Sequence, residues 1–247
     1  MSQLICVKAG VTYKFEDLSE THTKEYLLKT FESKWENNTF LTFLHVATRY
    51  DKKIAIDIGA YIGLTAIWLC KRFKHTICVE ADRKSVISLE KNLKSSECSN
   101  YTIINKPIFN KREKMYFGAN NFISHAVQND STSQIKSEKS KEDDYEIESI
   151  MFADVISGIN PHDIGFIKVD IEGGEEAIFE QLFIFARTFK IPLFVSFHMP
   201  WWKNKDLTRF NSLFESARIF QDSLIPEYNP IDYLSKNVWG SLLFEFE

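Results

Sequence analysis

The chain has 247 residues, 44% of them hydrophobic, which is enough for one α/β domain with a substantial core. Its formal net charge is −4 and it has no stripe of lysine and arginine, which excludes the basic surface that nucleic-acid binding needs. The longest apolar run, residues 54–70, contains Asp57 and is too short to span a bilayer.

The four cysteines form no C-x-x-C pair, and Cys70 and Cys78 lie in apolar segments. We therefore predict buried, reduced thiols, as is typical of a cytoplasmic protein. We expect the protein to be a monomer or a homodimer.

The first predicted element is helical. Residues 20–50 carry apolar side chains at helical spacing, among them Leu27, Phe31, Phe40 and Phe43. We predict that residues 1–52 form an N-terminal helical cap over one end of a sheet, and that residues 53–247 form the main domain.

A strand, a glycine turn and a helix follow. Residues 52–58 (KKIAIDI) are short and rich in β-branched residues, as a buried parallel strand is, and the turn GAYIG leads into a helix at 64–73. A second strand, 76–80, ends in Glu80, an acidic residue placed to accept hydrogen bonds from ribose hydroxyls. This βαβ unit predicts a site for a cofactor that contains adenosine, although a structural turn without a ligand is the alternative.

The identity of the cofactor depends on a missing glycine. A dinucleotide fingerprint needs G-x-G-x-x-G, and here Asp57 and Ile58 precede Gly59, so the first glycine is absent. The Asp57 carboxylate would repel a pyrophosphate, whereas it suits a sulfonium cofactor that has an ammonium group. S-adenosylmethionine (SAM) is therefore favoured over NAD. The predicted cofactor-binding residues are Asp57, Gly59, Ala60, Gly63, Glu80, Ala81 and Glu36. Trp35 and Glu36 could touch the cofactor. Equally, Trp35 could be a core residue and Glu36 a solvated one.

The middle of the chain contains a predicted insertion over residues 110–148. A helix at 82–96 and a strand at 101–109 precede it. Residues 114–118 and 123–127 alternate as the two strands of a hairpin. Residues 128–144 have one large apolar residue and are predicted to be a mobile loop, either a solvated insertion, which we favour, or a segment that closes over a substrate.

Strands and helices alternate again in the last third. We predict a strand from residue 164, a helix at 174–188, a strand at 191–198, a last helix at 207–220 and an antiparallel closing strand at 240–247. The fold class is therefore α/β and Rossmann-like: a mostly parallel sheet with a terminal antiparallel strand and helices on both faces.

A second polar motif lies at the end of the strand that begins at residue 164. Lys168, Asp170 and Glu172 alternate, so they share one face if the strand stays extended. His198 follows the next strand. Because ligands bind at the carboxyl ends of parallel strands, we expect these side chains to meet Asp57 and Glu80 at one edge of the sheet.

Together these motifs resemble a known family. The pair D-x-G-A-x-x-G (57–63) and I-K-x-D-x-E-G-x-E (167–175), with V-E-A-D (79–82) between them, is similar to the FkbM-type SAM-dependent methyltransferases. The resemblance implies a seven-stranded class I methyltransferase fold and methyl transfer to an oxygen, often a hydroxyl of a sugar or polyketide. Two features depart from the family pattern: Gly174 replaces a frequent alanine, and the segment after residue 128 is longer and more polar.

Two mechanisms are open for a sugar hydroxyl, which needs a base or a metal ion as it attacks. In the first, which we favour, Asp170 or His198 takes the proton and Lys168 orients the oxygen. In the second, Asp170, Glu172 and His198 hold Mg or Mn. Glu172 could instead serve a helix dipole, and the same dipole favours a structural role for Glu176.

The predicted function is a SAM-dependent O-methyltransferase whose partner is a sugar or glycan hydroxyl. Trp201 and Trp202 could offer flat faces to a sugar ring, or anchor their loop. The alternative functions are a Rossmann-type oxidoreductase that uses NAD, and a catalytically silent SAM-binding module.

Overall fold

A computed structural model describes residues 4–18, 24–33, 36–51, 53–118, 134–237 and 239–247. The described strands are β1 Leu4–Lys8, β2 Val11–Phe15, β3 Ile54–Ile58, β4 His75–Val79, β5 Tyr101–Ile104, β6 Lys114–Gly118, β7 Gln134–Lys136, β8 Tyr145–Glu148, β9 Ile164–Val169, β10 Leu193–His198, β11 Arg218–Gln221 and β12 Trp239–Glu245. The described α-helices are α1 Lys24–Tyr26, α2 Asn37–Tyr50, α3 Ala66–Arg72, α4 Arg83–Ser95, α5 Phe152–Val155, α6 Glu175–Phe189, α7 Asn211–Phe214 and α8 Pro230–Lys236. A π-helical turn, Leu27–Phe31, continues α1, and 3-10 helices cover Pro161–Asp163, Met199–Trp201 and Leu207–Phe210. None of the described helices is both long and apolar enough to cross a membrane.

Within the described residues, a central sheet of seven strands has the order β11-β12-β10-β9-β3-β4-β5. Its strands run parallel except β12, which is antiparallel to both of its neighbours. The predicted α/β fold with a mostly parallel sheet is thereby confirmed. The chain adds β4 and β5 on one side of β3, and then crosses back to add β9 and β10 on the other side. Strand order therefore reverses between β3 and β9, the place where such sheets bind their ligands.

Aromatic side chains cover both faces of this sheet. On one face, Phe43 of α2 has its ring 5.2 Å from the rings of both Phe166 and Phe194. On the other face, Phe179 of α6 lies 5.2 Å from Phe197. Strands buried on both sides in this way need apolar residues at nearly every position, which is why they appear in the sequence as continuous apolar runs.

The N-terminal segment departs from the predicted helical cap. Residues 4–15 form an antiparallel hairpin of β1 and β2, in which buried and exposed residues alternate with the period of a strand. The hydroxyl of the buried Tyr13 donates to the carbonyl of Leu64, 3.0 Å away, so the hairpin joins the main core. The prediction of helix is correct for α2. This helix packs across a face of the sheet, through Phe43, rather than over its end.

A smaller sheet of order β7-β6-β8 lies between β5 and β9 in the chain. The predicted hairpin partner, residues 123–127, lies outside the described residues; within them, β6 pairs with β7 and β8. The predicted mobile loop is wrong for its described part, residues 134–144, which begins with β7 and then folds around Asp144.

Asp144 explains why so polar a segment is ordered. Its buried carboxylate accepts hydrogen bonds from Lys136 Nζ at 2.8 and 2.9 Å and from the N–H groups of Ser140 and Lys141 at 2.8 Å. Burial raises the pKa of Asp144, but these donors outweigh it and hold the pKa below its usual range. A Cβ at Gly118 would lie 1.9 Å from Asp144 Oδ1, so glycine is required beside the carboxylate. Hydrogen bonds around one charge, rather than apolar burial, order this loop.

The predicted last helix, residues 207–220, ends early. Helix stops at Phe214, and Arg218–Gln221 form β11 at the edge of the central sheet, paired with β12. Pairing with a neighbouring strand here overrides the helical spacing of the apolar residues. After β11, the connection to β12 contains α8, whose start is capped by Asn229 and carries Pro230 in its first turn.

Candidate active site

A cavity of about 1640 Å³ opens at the carboxyl edge of the central sheet. Its walls come from the turn after β3, the ends of β4, β9 and β10, the smaller sheet, and the region of β11 and β12. The predicted site residues that line it are Glu36, Gly59, Ala60, Glu80, Ala81, Lys168, Asp170, Glu172 and His198. The structure therefore brings together side chains from five separate segments of the sequence. Asp57 and Gly63 lie beneath the wall.

Gly59 shapes the turn after β3. Its φ is +84°, and a Cβ there would lie 1.8 Å from the carbonyl oxygen of Asp170, so only glycine fits. The N–H of Asp170 donates to the carbonyl of Ile58 at 3.0 Å. These contacts hold the ends of β3 and β9 together. Gly63, at φ +103°, packs against Leu89 of α4 instead of facing the cavity.

Asp57 is fully buried below the cavity. Its Oδ2 accepts a hydrogen bond from the Thr65 hydroxyl at 2.7 Å, and its Oδ1 lies 3.0 Å from Lys168 Nζ. Burial raises the pKa of Asp57, against the opposing effects of Lys168 and Thr65. The charge of Asp57 is therefore compensated, and the repulsion that we expected it to exert on a pyrophosphate is largely cancelled.

Lys168 joins three elements of the cavity floor. Besides contacting Asp57, its ammonium donates to the carbonyl of Gly59 at 2.9 Å and lies 3.7 Å from Asp170 Oδ2. Burial lowers the pKa of Lys168, but Asp57 and Asp170 outweigh burial and hold it above its ordinary value. These are the contacts of a buried, charged partner of carboxylates.

Glu80 lies on the wall at the end of β4. Its Oε2 accepts a hydrogen bond from the N–H of Tyr61 at 2.7 Å, and its Oε1 accepts one from the N–H of Asp82 at 2.8 Å. Burial raises the pKa of Glu80 to about 7, although both donors lower it. Each carboxylate oxygen has a second lone pair, so the fixed carboxylate retains capacity to accept bonds from a ligand.

Glu36 lines the cavity immediately before α2, with a left-handed φ of +46°. Burial raises the pKa of Glu36 to about 8; nearby Asp170 adds to the rise and Lys168 opposes it. A carboxyl group in this environment is stabilised in its charged form when a cation binds beside it. Trp35, the other residue named for this contact, lies outside the described residues.

The turn after β9 positions two acidic side chains. The strand ends at Val169, so the predicted alternation along an extended strand is wrong. Instead the chain turns, with Glu172 at φ +54° and Gly173 at φ +96°. A Cβ on Gly173 would lie 2.7 Å from Trp201 Cβ, so this turn packs directly against the loop after β10. The turn, not a strand face, carries Asp170 and Glu172 to the cavity.

Glu175, for which we predicted no catalytic role, organises this turn. It is fully buried, and its Oε1 accepts bonds from the N–H of Ile171 at 3.0 Å and from His198 Nδ1 at 2.8 Å. Its Oε2 accepts bonds from the N–H of Gly173 at 2.9 Å and from Trp202 Nε1 at 3.3 Å. A signal for this role was present, because a glutamate in the first helical turn commonly reaches back to preceding N–H groups.

His198 completes what we call the acidic corner, the group of Asp170, Glu172 and His198. Its Nε2 lies 3.5 Å from Asp170 Oδ1 and 3.5 Å from Glu172 Oε2. Burial lowers the pKa of His198, but Glu175 and the two carboxylates of the corner outweigh it and raise the pKa to about 9. The Trp201 ring stacks on the imidazole, with centroids 5.3 Å apart. The imidazole is thus held protonated among carboxylates at neutral pH.

The acidic corner also has the donors of a metal site. One ligand atom from each of its three residues lies within 4.8 Å of the others. Two carboxylate oxygens and one imidazole nitrogen suit Mn or Mg. Glu175 binds the other ring nitrogen of His198, as carboxylates do behind metal-bound histidines. The side chains therefore fit the predicted ion, and without it the protonated imidazole supplies the positive charge.

A family comparison decides among the enzyme classes that this geometry allows. The family model described as the Methyltransferase FkbM domain matches residues 57–223, more than half of the chain. The chain belongs to the FkbM methyltransferase family. The matched range contains the turn after β3, Glu80 and the whole acidic corner. No curated protein matches the chain.

Solved structures similar to this FkbM-family chain share little sequence with it. An FkbM methyltransferase from Methylobacillus flagellatus KT is 18% identical, with 85% of this chain and 52% of that chain covered and a TM-score of 0.49. The present chain thus spans about half the length of that protein. The O-methyltransferase TomG from Streptomyces achromogenes is 11% identical, with coverages of 91% and 86% and a TM-score of 0.46. The METTL16 MTase domain is 10% identical, with coverages of 91% and 71% and a TM-score of 0.48. Membership of the family rests on the matched residues 57–223.

The two adjacent tryptophans of this FkbM-family chain have different places. Trp201 stacks on His198 at the cavity wall. Trp202 is 2% exposed, and its ring lies 5.6 Å from Phe197 in the core. Trp202 is therefore a loop anchor, and Trp201 is the more exposed of the two rings at the cavity.

Sequence reasoning missed one wall of the cavity. We call it the far wall, and its residues follow β11: Asp222, Tyr233, Trp239, Gly240 and Ser241. The missing information was strand register, since antiparallel pairing places Trp239 at the start of β12 opposite His198 at the end of β10.

Proposed function

We propose that this chain transfers a methyl group from SAM to a hydroxyl of a sugar, a glycan or a similar small molecule. The observation that carries the proposal is the acidic corner beside the Gly59 turn, at the point where strand order reverses. In a methyltransferase, a base at that place serves an acceptor whose proton must leave as the methyl group arrives.

The donor half of the cavity is assigned to SAM. Gly59 and Ala60 let the ligand approach the main chain, Glu80 accepts bonds from the ribose hydroxyls with Ala81 beside it in the wall, and Glu36 faces the ammonium group. Gly63 and the pair of Asp57 and Lys168 support this half from below, by fixing the turn and the ends of β3 and β9.

The reaction is a displacement at the methyl carbon of the sulfonium. The acceptor oxygen bonds to that carbon, the carbon–sulfur bond breaks with its electron pair left on sulfur, and S-adenosylhomocysteine is released. The hydroxyl proton goes to Asp170, which we choose over His198 because the imidazole is already protonated at neutral pH. His198 and Lys168 flank Asp170 at 3.5 and 3.7 Å and keep it oriented.

Replacement of Asp170 by Asn tests the base. We expect Asp170→Asn to reduce turnover by about 100-fold or more, the usual contribution of a general base, with little change in SAM affinity. The measurement is methyl transfer from labelled SAM to an acceptor found by screening sugars. Asp163→Asn is the matched control, because Asp163 is exposed beside the opposite end of β9. Near-normal turnover of Asp170→Asn would reject the role.

A second mechanism uses a divalent ion, and the donor geometry of the acidic corner favours it as the alternative. Asp170, Glu172 and His198 would hold Mg or Mn, which binds and acidifies the acceptor hydroxyl. In that case chelation abolishes turnover and added Mn or Mg restores it. The metal-free mechanism predicts that turnover survives dialysis against a chelator, with SAM affinity as the folding control.

Two other functions remain distinguishable. A Rossmann-type oxidoreductase would bind NAD, although Asp57 stands where a dinucleotide fingerprint has its first glycine. A silent SAM-binding module would bind SAM and transfer nothing. The buried network behind His198 supports an active enzyme, since binding of SAM alone needs no oriented imidazole beside two carboxylates.

A further inference from the structure

The cavity is larger than SAM and one reacting group need. Drug-sized ligands usually occupy about 300–1,000 Å³, whereas this cavity holds about 1640 Å³. Strand order places the far wall, at the start of β12, beyond the acidic corner and on the side away from Glu80 at the end of β4. The acceptor therefore has room to extend beyond the unit that receives the methyl group.

The far wall presents an aromatic surface. Trp239 is 65% exposed although it begins a strand of the central sheet, directly opposite His198 in the register. Tyr233 lies against the backbone of β12, where a Cβ on Gly240 would come within 2.9 Å of its ring. An indole with one apolar face in a wet cavity suits the C–H face of a sugar ring.

Hydroxyl groups and a carboxylate surround these rings. Ser241 and Ser196, both in the cavity wall, have their Oγ atoms 3.2 Å apart. Asp222 is half-buried, and its backbone is fixed by a hydrogen bond from Thr42 Oγ1 to its carbonyl. Among the described residues, no lysine, arginine or histidine forms an ion pair with the Asp222 carboxylate. This wall offers acceptors and negative charge to a ligand.

The charges beside the far wall favour positively charged ligands. Asp170 and Glu172 line the adjoining surface, and the ammonium of Lys168 beside them already contacts Asp57. An anionic ligand would be repelled here, and an ammonium group would be attracted.

We propose that the far wall binds a second, cationic sugar unit, so that the acceptor is an amino-sugar oligosaccharide or glycoside. The second ring stacks on Trp239, its ammonium group pairs with Asp222, and its hydroxyls bond to the two serines. This inference rests on the proposed function, because it assumes that the methyl group is delivered at the acidic corner.

The test is calorimetric binding of three disaccharides to the full chain saturated with S-adenosylhomocysteine, at about pH 6.5, where sugar amines are protonated. The probes are the β-1,4-linked glucosamine disaccharide, its neutral N-acetylated form and digalacturonate. We expect the cationic probe to bind about tenfold more tightly than the neutral one, and the anionic probe to bind weakest.

Two variants test which residues cause these differences in affinity. Asp222→Asn should bring the affinities for the cationic and neutral probes within about twofold of each other, since the charged hydrogen bond is lost. Trp239→Ala should weaken binding of every disaccharide, while Tyr228→Ala, which changes an exposed residue outside the cavity lining, should not. All three variants should bind S-adenosylhomocysteine as the wild type does, which shows that they are folded.

The results that would overturn this inference differ from the result that would overturn the proposed function. Equal affinity for the three probes, stronger binding of digalacturonate, or an unchanged preference in Asp222→Asn overturns this inference while leaving the proposed function intact. Failure of the wild type to bind S-adenosylhomocysteine contradicts the proposed function itself, and this inference with it.

Discussion

The site depends on buried charges whose partners fix its geometry. Asp57, Lys168 and Glu175 are each at most 2% exposed, and each contacts an oppositely charged or hydrogen-bonding group. Such groups are costly to bury alone, so their partners decide where the exposed groups above them lie. Lys168 fixes the floor beneath Asp170, and Glu175 fixes the ring of His198.

Replacement of Glu175 by Gln tests whether this buried carboxylate orients His198. In Glu175→Gln, one oxygen becomes an NH₂ group, which cannot accept from the pair of donors at that position, either Ile171 with His198 or Gly173 with Trp202. We expect a loss of about 1–3 kcal/mol in the free energy of unfolding, measured by denaturant titration. Because the neutral amide attracts the imidazole of His198 less strongly than the carboxylate does, kcat should fall while SAM affinity is retained.

The matched control for this change is Glu180→Gln, an exposed position one turn further along the same helix. It should behave as the wild type in both measurements. Unchanged kcat in a folded Glu175→Gln variant would show that the orientation of His198 does not matter for the reaction.

At the residue scale, the sequence predicted which side chains meet but not how they pair. Asp170, Glu172 and His198 could be grouped because the carboxyl ends of parallel strands share one edge. The burial of Asp57 could not be read in the same way. It follows from the register of β3 and β9, which aligns Asp57 with Lys168, and no local pattern specifies register between distant strands.

At the scale of elements, apolar runs identified the central strands well and polar segments were misjudged. The strands β3, β4, β9 and β10 appear in the sequence as apolar runs, because they are buried on both faces. The smaller sheet has no such run. Its described loop is ordered by the charge of Asp144, which composition alone does not reveal.

Replacement of Asp144 by Asn tests whether its charge orders residues 134–148. Asp144→Asn leaves the largely buried Lys136 without its ion-pair partner, a change that costs about 3–5 kcal/mol in buried pairs. We expect residues 134–148 to exchange amide hydrogens faster, while α6 and the central sheet keep their protection. Asp143→Asn, at the exposed neighbouring position, should leave exchange unchanged.

Acid should produce the same opening. The native pKa of Asp144 lies below its ordinary value, so its contribution to stability is complete above about pH 4 and is lost as the pH falls through the native pKa. Protection of residues 134–148 should therefore decrease first on acidification. Uniform loss of protection across the chain would argue against this local role.

At the scale of the whole molecule, the cavity is divided between two halves of one sheet. The ends of β3 and β4 form the proposed donor half, and the ends of β9, β10 and β12 form the acceptor half. The smaller sheet spans both, because the Tyr145 hydroxyl donates to the carbonyl of Ala81 at 3.1 Å and Gln134 Nε2 donates to the carbonyl of Glu172 at 2.5 Å.

This division explains which parts of the site could be predicted from the sequence. Apart from Glu36, the donor half is one continuous βαβ segment, so its glycine turn and acidic residue could be predicted from spacing alone. The acceptor half is assembled from segments between residues 168 and 241, through strand pairing and turns. Local patterns identified its acidic corner and missed its far wall.

The proposal that the chain binds SAM rather than NAD is tested most directly by a calorimetric titration of the wild-type chain with SAM, S-adenosylhomocysteine and NAD. The proposed function predicts that both sulfur nucleosides bind with one-to-one stoichiometry and that NAD gives no heat of binding. Tight binding of NAD, with no response to SAM or S-adenosylhomocysteine, would contradict it.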